Sequence, residues 1–124
     1  MADVTGKRYV DMEGAFGGAM KKVRAELGLK SFGVQRFELP PNSSDYPVHD
    51  HAESGQEELY VTVSGSGRLE VQGADPIELD PGIAVRVGPT ARRKVHAGPE
   101  GIALLVVGGT PGAVYDPPAA TELT

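Results

Sequence analysis

The stretch that decides the fold is residues 49–67, which read HDHAESGQEELYVTVSGSG. It opens with two histidines, His49 and His51, at the i, i+2 spacing that places both rings on one face of an extended segment. Acidic residues follow, and 58–63 then alternate between polar and apolar side chains, as a half-buried strand does. The run ends in Ser and Gly, which predicts a turn over 64–67.

The same rhythm of short alternating runs and turn residues continues through the rest of the chain. The 124 residues include 17 Gly and 10 Pro, which favours many short strands over long helices. Seven or eight strands at this spacing predict an all-β sandwich or barrel. The predicted strands cover 32–39, 58–63, 68–72, 77–79, 83–87, 92–96 and 102–107, with a turn at 98–101.

One short helix is predicted near the amino end. Apolar residues recur there at helical spacing within 15–29, and Gly28 follows them as the glycine that typically ends a helix. These apolar residues are Phe16, Met20, Val23 and Leu27. A further strand is expected around 8–10. The expected organisation is an N-terminal strand and helix over 1–30, a barrel over 31–110 and a Gly/Pro-rich tail over 111–124, which either wraps the surface or frays.

Composition excludes several classes of function. Seventeen acidic residues against twelve basic ones give a net charge of −5, which argues against a nucleic-acid partner. There is no Cys, so disulfides and thiolate zinc sites are excluded. The longest apolar run, 102–107, is far too short for a membrane span, and the first residues do not form a secretory signal. The expectation is a cytoplasmic protein with no membrane partner.

The two histidines and the acids after them are candidate metal ligands. Histidine is the commonest metal-binding side chain, as the neutral imidazole. A carboxylate from 56–58 would complete a triad of two His and one carboxylate, which suits iron(II), manganese or zinc. An isolated HxH is weak evidence, but here acids, a strand and a glycine turn follow it.

The stretch resembles the first motif of the cupin superfamily, which runs HxH, a short loop, Glu, six residues and Gly. His49, His51 and Glu58 match this motif, and six residues separate Glu58 from Gly65. The resemblance covers 32–110 and implies a double-stranded β-helix, or jelly-roll barrel, with a site inside its mouth. It also implies a divalent metal ion (Zn, Mn, Fe or Ni) held by the three matching residues.

The second cupin motif has a counterpart over 81–93 that departs from the pattern, because Arg93 stands where the family has a third histidine ligand. Arginine stays protonated and cannot ligate a metal. Three arrangements remain open. Metal could bind without a fourth protein ligand, or Arg93 could pair with Glu58 or Glu57 in a metal-free cavity. In the third, Arg93 turns outward and His96 replaces it, which strand alternation disfavours.

An inward-facing Arg93 would need a partner for its buried charge. If that partner is a ligand, the forked donors of Arg93 select a carboxylate, phosphate or enolate. Tyr60 shares the strand face of Glu58 and is a candidate ligand contact, and Glu57 is a candidate partner of the arginine. The predicted ligand-binding residues are therefore Arg93, Tyr60 and Glu57.

Three function classes suit such a barrel. The first is a metal-dependent enzyme acting on a small organic substrate, with its reaction undefined. The second is a non-catalytic module that binds or senses a small molecule. The third is a metal-free, degenerate barrel that acts as a homo-oligomeric partner protein. Exposed edge strands predict a homodimer in each case, because covered edges protect a sheet from open aggregation.

Overall fold

The computed structural model describes residues 2–124, which fold mainly into antiparallel strands. The strands are β1 (Gly14–Ala15), β2 (Met20–Lys21), β3 (Gly33–Leu39), β4 (Glu57–Val71), β5 (Ile77–Leu79), β6 (Ala84–Val87) and β7 (Arg93–Gly109). Helical structure in this range consists of α1 (Val23–Leu27) and two short 3-10 segments, Tyr9–Asp11 and Ala119–Thr121. Within residues 2–124, no helix has the length and apolar character needed to cross a membrane.

The strands form one sheet in the order β1-β2-β3-β7-β4-β5, and β6 also pairs with β4. The long strands β4 and β7 run through the middle of this sheet and pair with each other along most of their length. The all-β barrel with one short helix that the sequence predicts is therefore confirmed.

The predicted turns at 64–67 and 98–101 are wrong, because both segments continue as strand within β4 and β7. The pairing of these strands shifts register between Thr62 and Ser64 and again between Gly65 and Gly67. Such bulges bend a strand instead of ending it. Gly65 has φ 76°, and a Cβ there would collide with the carbonyl oxygen of Gly101 on the partner strand.

The inner face of the barrel holds the main core. Its fully buried apolar members are Tyr60, Leu69, Leu79, Val95 and Leu104. In the first half of β4 the inner face carries Glu58 and Tyr60, whereas Leu59 and Val63 are 40% and 47% exposed on the outer face. The polar face of this strand therefore points into the barrel, which is typical of a strand that supplies a site.

The N-terminal helix is shorter than predicted. The first half of 15–29 forms the hairpin of β1 and β2, and only Val23–Leu27 is helical. Gly17 and Gly18 have φ 69° and 91°, so they form a tight turn that an α-helix cannot contain. The helix ends at Gly28, with φ 74°, as predicted. The strand expected around 8–10 is wrong, because a 3-10 segment occupies Tyr9–Asp11.

The C-terminal tail wraps back onto the N-terminal segment. Two buried cations hold it there: Lys22 donates to the carbonyl oxygen of Glu122 at 2.7 Å, and Arg24 donates to the Glu122 carboxylate at 3.0 Å. Lys22 also donates to Glu13 at 2.6 Å. These contacts place the tail over one side of the barrel, where Tyr115 reaches the cavity described below.

Candidate metal and ligand site

The HxH segment lies against the start of β7 and is held there through its backbone. His49 and Arg93 exchange two backbone hydrogen bonds of 3.0 and 2.9 Å, and the amide of His51 donates to the carbonyl of Pro89 at 2.9 Å. The segment is extended, so the two rings point to the same side, with centroids 5.0 Å apart. The i, i+2 spacing thus positions both imidazoles as the sequence predicts.

His49, His51 and Glu58 converge on one point. Each offers one ligand atom, and the three atoms lie within 4.8 Å of one another. Glu58 is the second residue of strand β4, whereas the histidines come from the segment before this strand. The three residues that match the first motif therefore form one cluster.

Hydrogen bonding and burial prepare His49 as a ligand. Its Nδ1 lies 3.1 Å from the carbonyl oxygen of Pro47, so Nδ1 carries the proton and donates to that oxygen. The lone pair is then on Nε2. Burial lowers the pKa of His49, and the charge of Arg93 lowers it further. The ring is therefore neutral at neutral pH, which is the form that binds a metal.

The two oxygens of Glu58 have different partners. Oε1 accepts hydrogen bonds from Arg93 and, at 3.2 Å, from the Tyr60 hydroxyl. Oε2 accepts one from Gln56 at 3.2 Å and lies 3.6 Å from Nε2 of His51. Burial alone would raise the pKa of Glu58, but the facing His51 and Arg93 outweigh it and leave the pKa below its ordinary value of 4.5. The carboxylate is ionised, and Oε2 keeps a lone pair on the histidine side.

Arg93 points inward and is fully buried. Besides Glu58, it donates to the carbonyl of Ala91 at 2.9 Å and to the hydroxyl of Tyr60 at 3.4 Å. His96 does not replace it, because its Nδ1 lies 2.8 Å from the hydroxyl of Ser44, away from the cluster. The structure therefore rules out the arrangement in which Arg93 turns outward, and it pairs Arg93 with Glu58.

Two tyrosines extend the hydrogen-bond chain behind Glu58. The hydroxyls of Tyr46 and Tyr60 lie 3.1 Å apart, and both side chains are buried. Burial and the charge of Glu58 raise the pKa of Tyr60 to about 12. Tyr60 is therefore a neutral hydroxyl that donates to Glu58, and it fixes the orientation of that carboxylate.

The structure does not bring Glu57 into this site. Glu57 lies on the outer face of β4, where its carboxylate accepts a hydrogen bond from Arg86 at 3.0 Å. Neighbouring residues of a strand point to opposite faces, so Glu57 and Glu58 cannot share the interior.

A cavity of about 1210 Å³ opens beside the cluster, and His49, His51 and Glu58 lie in its wall. Arg93 and Tyr60 are not part of that wall; they lie behind Glu58. The wall also contains Tyr115, and it contains Gln56 and Gln35, which the sequence did not single out. Gln56 could have been found from strand spacing, since it stands two residues before Glu58 and shares its face.

Known structures share this architecture. A cupin protein from Bacteroides fragilis superposes with a TM-score of 0.70 and 21% identity, covering 100% of this chain and 98% of that one. The chain has the cupin fold. The cupin-fold resemblance also extends to a Klebsiella pneumoniae protein with a double-stranded β-helix domain, with a TM-score of 0.58 and 15% identity over 71% of this chain and 77% of that one.

A third similar structure is a DMSP lyase from Ruegeria pomeroyi DSS-3. It superposes with a TM-score of 0.58 and 21% identity, over 69% of this chain and 42% of the lyase. No protein-family model matches the chain, and no curated protein matches it. The fold of the chain is thus the one that the motifs suggested.

The donor set of this cupin-fold chain fits a divalent metal ion. Two imidazoles and one ionised carboxylate form a triad that suits iron(II), manganese or zinc. The Glu58 oxygen that faces the histidines is not the one bound by Arg93, so the ion pair leaves a metal-facing oxygen available. Arg93 nevertheless places a positive charge behind the site, which weakens its attraction for a cation.

Proposed function

We propose that the chain binds one divalent metal ion through His49, His51 and Glu58 and presents it to a small organic ligand in the adjacent cavity. The observation that carries this proposal is the convergence of the three donor atoms in the wall of a cavity. With only three protein ligands, a bound ion keeps coordination positions for water or a ligand.

The surrounding residues of the chain support this role by fixing the donors in place. Pro47 selects the tautomer of His49, and Arg93 and Tyr60 hold one oxygen of Glu58 so that the other faces the histidines. Such outer contacts orient metal ligands in proteins. A divalent ion held here would supply Lewis-acid polarisation of a ligand oxygen, which is the chemistry a metal-dependent enzyme of this kind needs.

A second function is favoured by the Arg93–Glu58 contact itself. The guanidinium already compensates the charge of the carboxylate, so the cavity is stable without a metal and can serve as a small-molecule binding module. In this case the same cavity binds its ligand through hydrogen bonds and apolar contacts alone. The two functions differ in whether the histidines are required.

The experiment is zinc binding by the full chain, measured by calorimetry on tag-free protein. His51→Ala removes one donor and is expected to abolish most of the binding. His96→Ala is the matched control, because His96 contacts Ser44 outside the cluster. Equal zinc binding by the two variants would reject the metal site, and absence of binding by the unmodified chain would favour the metal-free module.

A homodimer also stays a proposal, and exposed apolar residues in β4 and just before β6 support it. Leu59, Val63 and Ile83 are between 39% and 47% exposed. Light scattering of the chain and of a Leu59→Asp variant tests it, since an acidic residue in a covered face would dissociate the dimer. A monomeric unmodified chain would reject it.

A further inference from the structure

Gln35 is a buried polar residue in the wall of the cavity. It lies in the middle of β3 and is 8% exposed, yet neither Nε2 nor Oε1 has a hydrogen-bond partner within residues 2–124. Buried amides are almost always paired, because an unpaired donor or acceptor loses its hydration without compensation. An amide left in this state beside a cavity is a candidate for ligand recognition.

The strand register places Gln35 close to the candidate metal cluster. Gln35 pairs with Val106 on β7, and Val106 pairs with Tyr60 on β4. One step along the same face, Gly108 of β7 stands opposite Glu58. Gln35 is therefore two strands away from the carboxylate, about 10 Å at ordinary strand spacing. A ligand of modest size can reach both.

Two glycines make room for further polar groups in this corner of the cavity. Gly33 and Gly108 are paired across β3 and β7 and share the face of Gln35. A Cβ on Gly108 would lie 2.8 Å from Nε2 of Gln56, and one on Gly33 would collide with the hydroxyl of Tyr115. The amide of Gln56 therefore packs against the backbone of Gly108, and the phenol of Tyr115 packs against that of Gly33. Both groups lie near Gln35.

The charges of the wall oppose an anion. Four acidic residues contribute to the cavity wall, and no Lys or Arg does so within residues 2–124. They are Glu38, whose carboxylate pairs with Arg36, Glu58, which pairs with Arg93, and Asp45 and Glu100. Because Arg93 is buried behind Glu58, it cannot bind an anionic group in the cavity. With Arg93 paired to Glu58, its forked donors are not free to select an anionic ligand.

We propose that Gln35 recognises a neutral organic ligand whose polar edge carries a donor next to an acceptor, as in a carboxamide, lactam or urea. The glutamine amide offers an acceptor and donors side by side, and such an edge pairs with both. Phe37, Ile102 and Val106 supply an apolar wall for the rest of the ligand. This proposal shares the cavity of the proposed function and requires no metal.

The test is the binding of benzamide to the full chain in the presence of EDTA, measured by ligand-observed NMR titration. Gln35→Met keeps the length of the side chain and removes its donors and acceptor. We expect it to weaken benzamide binding about tenfold, the effect of losing one or two hydrogen bonds. Gln72→Met is the matched control, since Gln72 is exposed and outside this cavity, and its affinity is expected to be unchanged.

Benzoate is the comparison ligand that tests the charge argument. It has the same ring and shape but carries a negative charge, so we expect it to bind the unmodified chain at least about tenfold more weakly than benzamide. Benzamide binding that is undetectable in the unmodified chain, or equal in Gln35→Met, overturns the proposal. Benzoate binding as tight as benzamide does the same.

Two further readouts keep the test decisive. Gln35→Met is expected to melt at the same temperature as the unmodified chain or higher, because it removes an unpaired buried amide. If that variant fails to fold, Gln35→Glu retains the shape, replaces the donors with an acceptor and is expected to lose benzamide binding as well. Because EDTA is present, benzamide binding can succeed while the metal site fails, and the two proposals are judged separately.

Discussion

Arg93 and Glu58 form an ion pair behind the histidine cluster, with the Arg93 side chain fully buried and that of Glu58 10% exposed. The pair joins β7 to β4 across the barrel. It occupies one oxygen of the carboxylate, and the other oxygen faces His51. Arg93 thus orients the carboxylate as a ligand while reducing the electrostatic attraction of the site for a cation.

Removing the charge of Arg93 is expected to destabilise the fold strongly. In Arg93→Met, the Glu58 carboxylate stays buried without its cation, which costs about 3–5 kcal/mol of unfolding free energy. Urea denaturation measures this loss. Arg86→Met is the control, because Arg86 pairs with Glu57 at the exposed surface, and its loss is expected to be about 1 kcal/mol or less. Similar losses in both variants would contradict a buried pair.

Replacing Arg93 by histidine is expected to strengthen metal binding. Arg93→His removes a positive charge and supplies an imidazole at the position of the family's third histidine. A like charge a few ångströms from a cation costs about 2–4 kcal/mol at an effective dielectric of 20, so affinity for zinc should rise at least about tenfold. Chelator competition measures the change. Arg92→His is the control: Arg92 is an exposed neighbour, so this variant should leave zinc affinity unchanged. An unchanged zinc affinity in Arg93→His would contradict the cluster as the metal site.

The contact between the two chain ends predicts a pH dependence of stability. Hydrogen bonds from Lys22 and Thr124 hold the pKa of Glu13 below its ordinary value of 4.5. A carboxyl whose pKa is lowered by folding stabilises the fold above its unfolded pKa, and this contribution disappears as the pH falls through the folded pKa. The stability advantage of the unmodified chain over Glu13→Gln should therefore be constant near neutrality and shrink in acid.

Urea denaturation at several pH values between about 7 and 3 tests this expectation. Glu53→Gln is the control, since Glu53 is exposed and forms no ion pair within residues 2–124. The stability of both variants is compared with that of the unmodified chain at each pH. A Glu13→Gln difference that grows in acid would have the wrong sign and would contradict the role assigned to the Lys22 contact.

The candidate metal cluster could be predicted from the sequence because it depends on local spacing. An extended HxH segment and an alternating strand place their side chains by backbone geometry alone, so His49, His51 and Glu58 converge as expected. The inward direction of Arg93 follows from the same alternation. Whether Arg93 pairs with Glu58 or with a ligand depends on distances across the barrel, and the spacing of residues in the sequence does not give those distances.

Other features could not be predicted, for physical reasons. A Gly/Ser-rich segment signals either a turn or a bend within a strand, and only the partner strand decides, as the approach of Gly65 to Gly101 shows. The apolar spacing around Met20 fits a helix, but Gly17 and Gly18 form a hairpin turn instead. Gln35 gives no local signal, because its lack of partners arises from the packing around it.

The most direct test of the metal site is elemental analysis of the tag-free chain produced with ample Zn, Mn, Fe and Ni. About one divalent ion per chain is expected, because the three protein ligands form one site. His49→Ala is expected to reduce this content to trace levels, whereas His96→Ala is expected to retain it. Only trace metal in the unmodified chain, or full metal content in His49→Ala, would contradict the account.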